Sequence, residues 1–343
     1  MDKGKLNIAV VGCSGMASAH MYGVADNGDR ARVYAICDTA PERLAERKAQ
    51  FDPVVAVADY RELVDDPNVD AAVIVTPDQL HREMTVAFLR AGKDVLCEKP
   101  MALSLSECEE MMRAEKETGR RLMIGQVCRC TPAFVQAKEL IDAGRIGELF
   151  FVESEYAHDY SRIGGYGNWR ITPERQGFVG GGCHAVDLLR WIAGNPTEVC
   201  AYSNHKCLAD WPVDDATIAI YRFPGNVIGK VFASIGCKRG YTMRSAFYGT
   251  RGTIVCDNTS PTMQLFENAD PDSADDFTAP RELAVDVNSH NVSEEIRAFI
   301  DALLSGGDMP VSSMEGASTI AVACATVESA AKGMPVRIRY PGA

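Results

Sequence analysis

The sequence predicts an α/β protein: a parallel sheet with helices on both faces, then an α+β domain built on a large, mostly antiparallel open sheet. Three observations predict it. From Leu6 to about Gly125, short Val, Ile and Ala runs alternate with helical stretches, as strands buried on both faces do when crossover helices separate them. The first run ends in a glycine turn. After Gly125 strand-like segments crowd together, with turn residues in place of most helices.

In chain order, the apolar runs at residues 7–11, 33–37, 71–75, 95–97 and 122–124 predict strands, and residues 16–23, 41–50, 79–90 and 106–118 predict the helices between them. Beyond Gly125, strands are expected over 148–156, 198–205, 216–223, 227–235, 244–248 and 253–256. Pro224-Gly225-Asn226 is a turn that makes two of them antiparallel neighbours. A helix over 184–193 stops at Gly194-Asn195-Pro196. Two more helices, 293–304 and 316–332, close the chain, with Gly306-Gly307 ending the first. Residues 269–279, rich in Asp, Ser and Pro, read as a mobile surface loop.

A chain of 343 residues that is 46% hydrophobic is large enough for two cores. The change of pattern sets the boundary: residues 1–126 form the first domain, and 127–343 a second for substrate binding and oligomerisation. The C-terminal helices are free to pack back on the first. A net charge of −12 and the lack of any basic run exclude phosphate-backbone binding and attraction to anionic membranes. The N-terminal residues run directly into a strand without a signal-type segment, and no run has the length of a membrane span, so a cytoplasmic protein is expected. Twelve cysteines then mean reduced thiols, with Cys37, Cys97, Cys200 and Cys256 as small core residues. Cys128 and Cys130 would share a face in a strand, but no second pair or histidine follows at zinc-ligand spacing, so no metal is expected.

The chemistry-bearing residues cluster at strand ends. In Gly12-Cys13-Ser14-Gly15-Met16-Ala17 a glycine turn leads into a helix. Backbone amides can approach a pyrophosphate there, and the helix dipole favours the anion. Gly12 and Ala17 fit the first and third positions of the dinucleotide fingerprint, whereas Ser14 stands where glycine normally permits closest approach. By itself the turn is equally a plain tight turn. Asp38, 26 residues beyond Gly12, ends the second run. A carboxylate there accepts hydrogen bonds from an adenosine ribose and repels a ribose phosphate, favouring NAD over NADP; the competing reading is a helix cap. Thr76, Pro77 and His81 follow the third run on the crevice side of a parallel sheet. Glu98-Lys99-Pro100 ends the fourth, putting a proton-handling lysine beside a dinucleotide site. In the second half, Gly180-Gly181-Gly182-Cys183-His184 opens a helix with Asp187 three residues on, so that His184 and Asp187 share a side.

These stations, in this order, resemble the Gfo/Idh/MocA family of glucose–fructose oxidoreductase, inositol dehydrogenase and MocA-like proteins. The resemblance spans nearly the whole chain and includes Arg129-x-x-Pro132, Asp142-x-Gly144-x-Ile146-Gly147-Glu148, Asn168-Trp169-Arg170 and Glu328-Ser329-Ala330-Ala331-Lys332-Gly333. It implies an N-terminal Rossmann domain, NAD as cofactor and a homodimer or homotetramer. It implies that Gly15 and Met16 offer amides to the pyrophosphate, Asp38 meets the ribose, and Thr76, Pro77 and His81 flank the cofactor. Glu98 and Lys99 then lie by the nicotinamide ribose, with Gln126 also on the cofactor. Trp169 and Arg170 approach the cofactor from the second domain. His184 matches the proton acceptor, Lys99 its partner, and Asp187 touches substrate hydroxyls. Tyr156, His158, Tyr160 and Arg162 are expected on the substrate side, where aromatic faces and polar tips suit a sugar.

The implied reaction oxidises a secondary hydroxyl of a sugar, glycoside or cyclitol. Many family members carry an aspartate four residues before the histidine, where this chain has Gly180. That departure either loosens the Lys99–His184 pair or makes room for a bulkier substrate. Two alternatives stand beside the dehydrogenase: a glycoside 3-oxidoreductase that keeps NAD bound during O- or C-glycoside cleavage, and a non-enzymatic sugar or nucleotide sensor.

Overall fold

A computed structural model describes residues 4–267 and 279–342. The elements in chain order are β1 (Leu6–Val11), α1 (Gly15–Asp26), β2 (Ala31–Cys37), α2 (Pro41–Phe51), β3 (Val55–Val57), α3 (Arg61–Val64), β4 (Ala71–Ile74), α4 (His81–Arg90), β5 (Asp94–Glu98), α5 (Leu105–Thr118) and β6 (Leu122–Gly125). There follow α6 (Pro132–Asp142), β7 (Leu149–Ala157), α7 (Cys183–Ala193), β8 (Glu198–Asn204), β9 (Ala216–Arg222), β10 (Ile228–Ser234), β11 (Thr242–Gly249) and β12 (Gly252–Asp257). The chain closes with β13 (Thr262–Glu267), β14 (Arg281–Ala284), α8 (Val292–Ser305), α9 (Ser313–Lys332) and β15 (Val336–Arg337). They form two compact units, one of residues up to 126 together with 292–317, the other of residues 127–291 together with those from 318 on.

The first unit holds a parallel sheet in the order β3-β2-β1-β4-β5-β6. Its inner strands are fully buried, from Ile8 to Val10, Ala71 to Ile74 and Val95 to Cys97. Burial on both faces is why these strands read as unbroken apolar runs. Strand order reverses between β1 and β4, and at such a switch point the carboxyl ends open a crevice. Residues 292–317, assigned above to the second domain, join this unit. Gly23 of α1 makes that possible: a Cβ there would stand 3.0 Å from the Cβ of Ile296, so α8 seats against a bare stretch of α1. Ser293 Oγ donates to Asp26 beside this seam at 2.9 Å.

The second unit holds a sheet in the order β14-β13-β12-β11-β7-β10-β9-β8-β15, in which only β7 and β10 pair parallel. Its two faces differ sharply. Ala219, Tyr221 and Val231 point into the core, whereas Tyr202, Ile218, Ile220 and Ile228 stand exposed on the other side of three adjacent strands.

Among the described residues, which include all twelve cysteines, there is no disulfide. Cys37, Cys97 and Cys256 are buried, and Cys200 is half-buried. Cys128 and Cys130 lie in a 3₁₀ turn over Val127–Cys130, so the strand geometry considered for them does not apply. Of the surface loop expected at 269–279, residues 269–278 lie outside the described residues. Among the described residues no helix is long and apolar enough to cross a membrane.

Candidate active site

At the end of β1, Gly12 adopts φ +107°, and a Cβ on it would collide with the Val75 carbonyl beyond β4. Only glycine lets the two central strand ends come this close. Ser14, the departure from the fingerprint, is the N-cap of α1, its Oγ accepting from the Ala17 amide at 3.4 Å. The amides of Gly15 and Met16 fall in the first helical turn, where no intrahelical acceptor exists. A side chain on Gly15 would meet nothing within 4 Å, so this end of the helix faces open space. Helix α2 is N-capped by Ala40 with no side-chain cap bond, so the helix-cap reading does not hold for Asp38. Its Oδ1 accepts from the Ala40 amide and its Oδ2 from the Cys13 amide, each at 2.8 Å. The carboxylate thereby ties the glycine turn to the start of α2, and each oxygen keeps a second lone pair for a ligand.

Thr76 and Pro77 follow β4, and the buried Oγ1 of Thr76 has no hydrogen-bond partner. His81 is buried and turned inward. Its Nδ1 lies 2.8 Å from the Pro100 carbonyl and its Nε2 3.1 Å from that of Thr76, so both ring nitrogens donate only in the imidazolium form. Burial works against that charge, but Cys97, Asp78 and the Pro100 carbonyl outweigh it and raise the ring's pKa to about 10. The ring therefore braces the Thr76 and Lys99-Pro100 segments and presents no free nitrogen to a cofactor. A pKa raised on folding stabilises fully below the unfolded value near 6.5 and stops doing so as pH rises through about 10. Thermal melts are expected to show His81→Gln less stable than wild type at pH 6, with the gap closing toward pH 10. A gap independent of pH would mean a neutral ring.

At the end of β5 the Lys99-Pro100 peptide is cis, and Lys99 is half-buried. Glu98, expected by the nicotinamide ribose, is buried instead: its Oε1 meets His20 Nε2 at 2.8 Å, and its Oε2 accepts from the Lys99 amide at 3.0 Å. At the end of β6, Gln126 is 1% exposed, and neither its amide oxygen nor its nitrogen has a partner. Buried amides are rarely left so, and the orphaned Gln126 and Thr76 groups suit a polar ligand along the strand ends.

In the second unit, a π-helical turn over Phe178–Gly182 leads into α7. The glycines are explained by what covers them. A Cβ on Gly180 would collide with the Arg175 guanidinium, and one on Gly181 would lie 2.6 Å from the Tyr156 ring. The room expected at Gly180 for a bulkier substrate is thus filled by Arg175, itself buried and lying over the rings of Trp169 and Tyr160 at 5.1 and 5.9 Å. His184 stacks on Tyr156, ring centroids 5.8 Å apart and 16° from parallel. Its Nδ1 lies 3.2 Å from Cys128 Sγ. The tautomer that donates Nδ1–H to sulfur leaves the Nε2 lone pair able to take a proton.

Tyr156 shares a 2.7 Å hydrogen bond with Tyr160, and His158 packs edge-on to Tyr160 at 5.1 Å. Trp169 and Arg170 also find each other, the guanidinium 4.1 Å over the indole. Arg162 is exposed. Asp187 is corrected from substrate contact to anchor. It has no exposure; Arg129 grips it through two nitrogens at 2.7 and 2.8 Å, and Thr319 Oγ1 donates to it at 2.9 Å. A carboxylate so engaged fixes α7 against its neighbours.

Around His184 the structure also gathers Cys128, Tyr241 and His290, for none of which the sequence suggests a place in this site. Tyr241 and His290 stack on one another at 4.8 Å, with the His290 ring 5.7 Å from that of His184. None sits in a motif; only tertiary structure gathers them.

Two family models match the chain. Residues 6–126 match the oxidoreductase family with an NAD-binding Rossmann fold, and residues 134–255 match the GFO/IDH/MocA C-terminal domain. Inositol 2-dehydrogenase 2 of Saccharopolyspora erythraea is 29% identical over 338 residues, covering 97% of this chain and 96% of that protein. The 1,5-anhydro-D-fructose reductase of Ensifer adhaerens is 28% identical, covering 96% and 97% respectively. A solved levoglucosan dehydrogenase in complex with NADH and levoglucosan superposes with a TM-score of 0.86 at 26% identity, over 97% of this chain and 99% of that one. With both domains matched and the strand-end stations in place, this chain belongs to the Gfo/Idh/MocA family of NAD-dependent oxidoreductases.

Proposed function

We propose that the chain is a dehydrogenase that oxidises a secondary hydroxyl of a sugar, glycoside or cyclitol, with Lys99 and His184 handling the proton. The observation that carries this reading is His184 itself, buried and stacked on Tyr156 with Nδ1 3.2 Å from Cys128 Sγ; in the Nδ1–H tautomer Nε2 serves as base. The names of the relatives, which act on inositol, levoglucosan and an anhydro sugar, support the substrate class.

NAD would be held by the Gly15 and Met16 amides, by Asp38, and by Thr76, Pro77, Gln126, Trp169 and Arg170; when bound it supplies the hydride acceptor. In this reading His184 takes the hydroxyl proton, and the Lys99 ammonium stabilises the alkoxide that develops. The tyrosines and His158 present aromatic faces to a sugar ring. The exposed row of Tyr202, Ile218, Ile220 and Ile228 supports a homo-oligomer closed over the open sheet.

The test denatures the purified protein, identifies released nucleotide by mass spectrometry, and then follows nicotinamide reduction across a panel of polyols, anhydro sugars and glycosides, with mass in solution from light scattering. Net reduction with one substrate class, preference for NAD over NADP and a dimer or tetramer are expected. Glycosidic cleavage without net reduction would transfer the chain to the bound-cofactor class, and equal affinity for NADP would remove the ribose role of Asp38.

A further inference from the structure

Three ionisable side chains meet in the core of the first unit, outside the residues assigned to the reaction. His20 comes from α1, Glu98 from β5 and Glu295 from α8, and none is more than 6% exposed. A His20 nitrogen and one oxygen from each carboxyl all lie within 4.8 Å of one another. Gly125, the β6 partner of Glu98, lacks the side chain that would otherwise crowd them: a Cβ there would stand 3.3 Å from Glu98 Cα and 3.6 Å from Glu295 Oε2. Two carboxyls and an imidazole in an apolar core are costly unless their charges are managed.

The hydrogen bonds divide the roles. Glu98 has a donor for each oxygen, His20 Nε2–H on one side and the Lys99 amide on the other. Glu295 Oε2 is buried with no partner. Burial raises the Glu98 pKa, but the His20 hydrogen bond and charge, with Lys99, pull it below the usual range, so Glu98 is an anion. Glu295 goes the other way: burial first, then the negative charge of Glu98, raise it well above the usual range against the opposing pull of Lys99, so it keeps its proton.

We propose that His20, Glu98 and Glu295 form a positioning device for Lys99, in which Glu98, held by His20, fixes the Lys99 amide. This rests on the role given to Lys99 above. Glu98 grips the residue on its amino side while His81 holds the Pro100 carbonyl, so the strand end that carries the ammonium is pinned at two points. Glu295 is part of the device because, uncharged, it fills the remaining space without a second anion to repel Glu98. Glu98 then acts through Lys99 and does not touch the cofactor ribose.

The experiment compares wild type with Glu98→Gln, Glu295→Ala, Glu295→Gln and Lys99→Ala, measuring kcat across pH, the Kd for NAD, and the infrared band of a neutral carboxylic acid. Glu98→Gln is expected to lower kcat roughly 10-fold or more through misplacement of Lys99, with the Kd for NAD within about 3-fold of wild type. Glu295→Ala is expected to lose activity and Glu295→Gln to recover it, because the amide is an uncharged isostere. The groups facing Glu295 are His20 from α1, Glu98 from β5, and Lys99 just beyond it. As pH rises, ionised Glu295 repels Glu98 and wild-type kcat falls; Glu295→Gln lacks that decline.

The infrared band is expected in wild type and Lys99→Ala and absent from Glu295→Gln, so the proton on Glu295 is read independently of activity. Full turnover by Lys99→Ala with the band present would sink the role of Lys99 and leave the buried acid standing. A weakened Kd for NAD with unchanged kcat in Glu98→Gln, a wild type without the band, or a stoichiometric metal ion by elemental analysis would overturn the proposal.

Discussion

Alanine at His184 is expected to lower kcat by roughly 10²- to 10⁴-fold, the range removed with a general base. The acid limb of the pH profile should vanish with it, because that limb reports protonation of the base. Binding of NAD should persist, since every residue proposed for the pyrophosphate and adenosine ribose lies at the strand ends of the first unit. Lys99→Met is expected to cost roughly 10²- to 10³-fold, as loss of a fixed donor to a developing oxyanion does. Stopped-flow and steady-state kinetics on both variants decide the matter, and full turnover by either would remove that residue from the chemistry. Mutual dependence is the sharper expectation: the double variant should be little worse than the slower single one, as for groups that act as a unit.

Arg129→Met is expected to be the most destabilising single change, by about 3–5 kcal/mol, because it strips the main partner from a carboxylate with no access to water. Asp187 keeps Thr319 at 2.9 Å and Arg190 at 3.7 Å, which sets the lower end of the range. Urea unfolding measures the change. A double variant that also carries Asp187→Leu should regain part of the loss, since removing the stranded charge relieves the penalty. A loss below about 1 kcal/mol in Arg129→Met would remove the anchoring role given to the Arg129–Asp187 pair.

What could be read from the chain followed the physics of burial. The five long strands of the parallel sheet were legible because both faces are covered, so nearly every residue is apolar. β3 was not, since Val55 to Val57 are only half-buried at a sheet edge. The outer strands β13 and β14 and the short β15 escaped for a similar reason, lying at or near the ends of the larger sheet. Helix α6 is not among the expected elements, although Pro132 opens it at a position where proline is favoured.

Within the candidate site, the turn at Gly12 and the helix start at His184 were legible because both are local events. The direction of a carboxylate is not local. Asp187 sits on α7 three residues from His184, and spacing alone suggested a shared face; only Arg129 and Thr319, supplied by distant segments, reveal that it points into the core. Glu98 misled in the same way, since nothing in Glu-Lys-Pro indicates that α1 and α8 bring His20 and Glu295 to it.

The late position of α8 bears on how the protein is made. A ribosome releases the six parallel strands early, yet the helix that covers Gly23 and brings Glu295 to the buried cluster around Glu98 is translated only after nearly three hundred residues. Until then the nascent first unit shows water an uncovered flank of α1 and a carboxylate meant for the interior. Maturation of the nucleotide-binding half therefore waits on synthesis of the other half, and a chain stalled before Val292 is a natural client for chaperones and proteases.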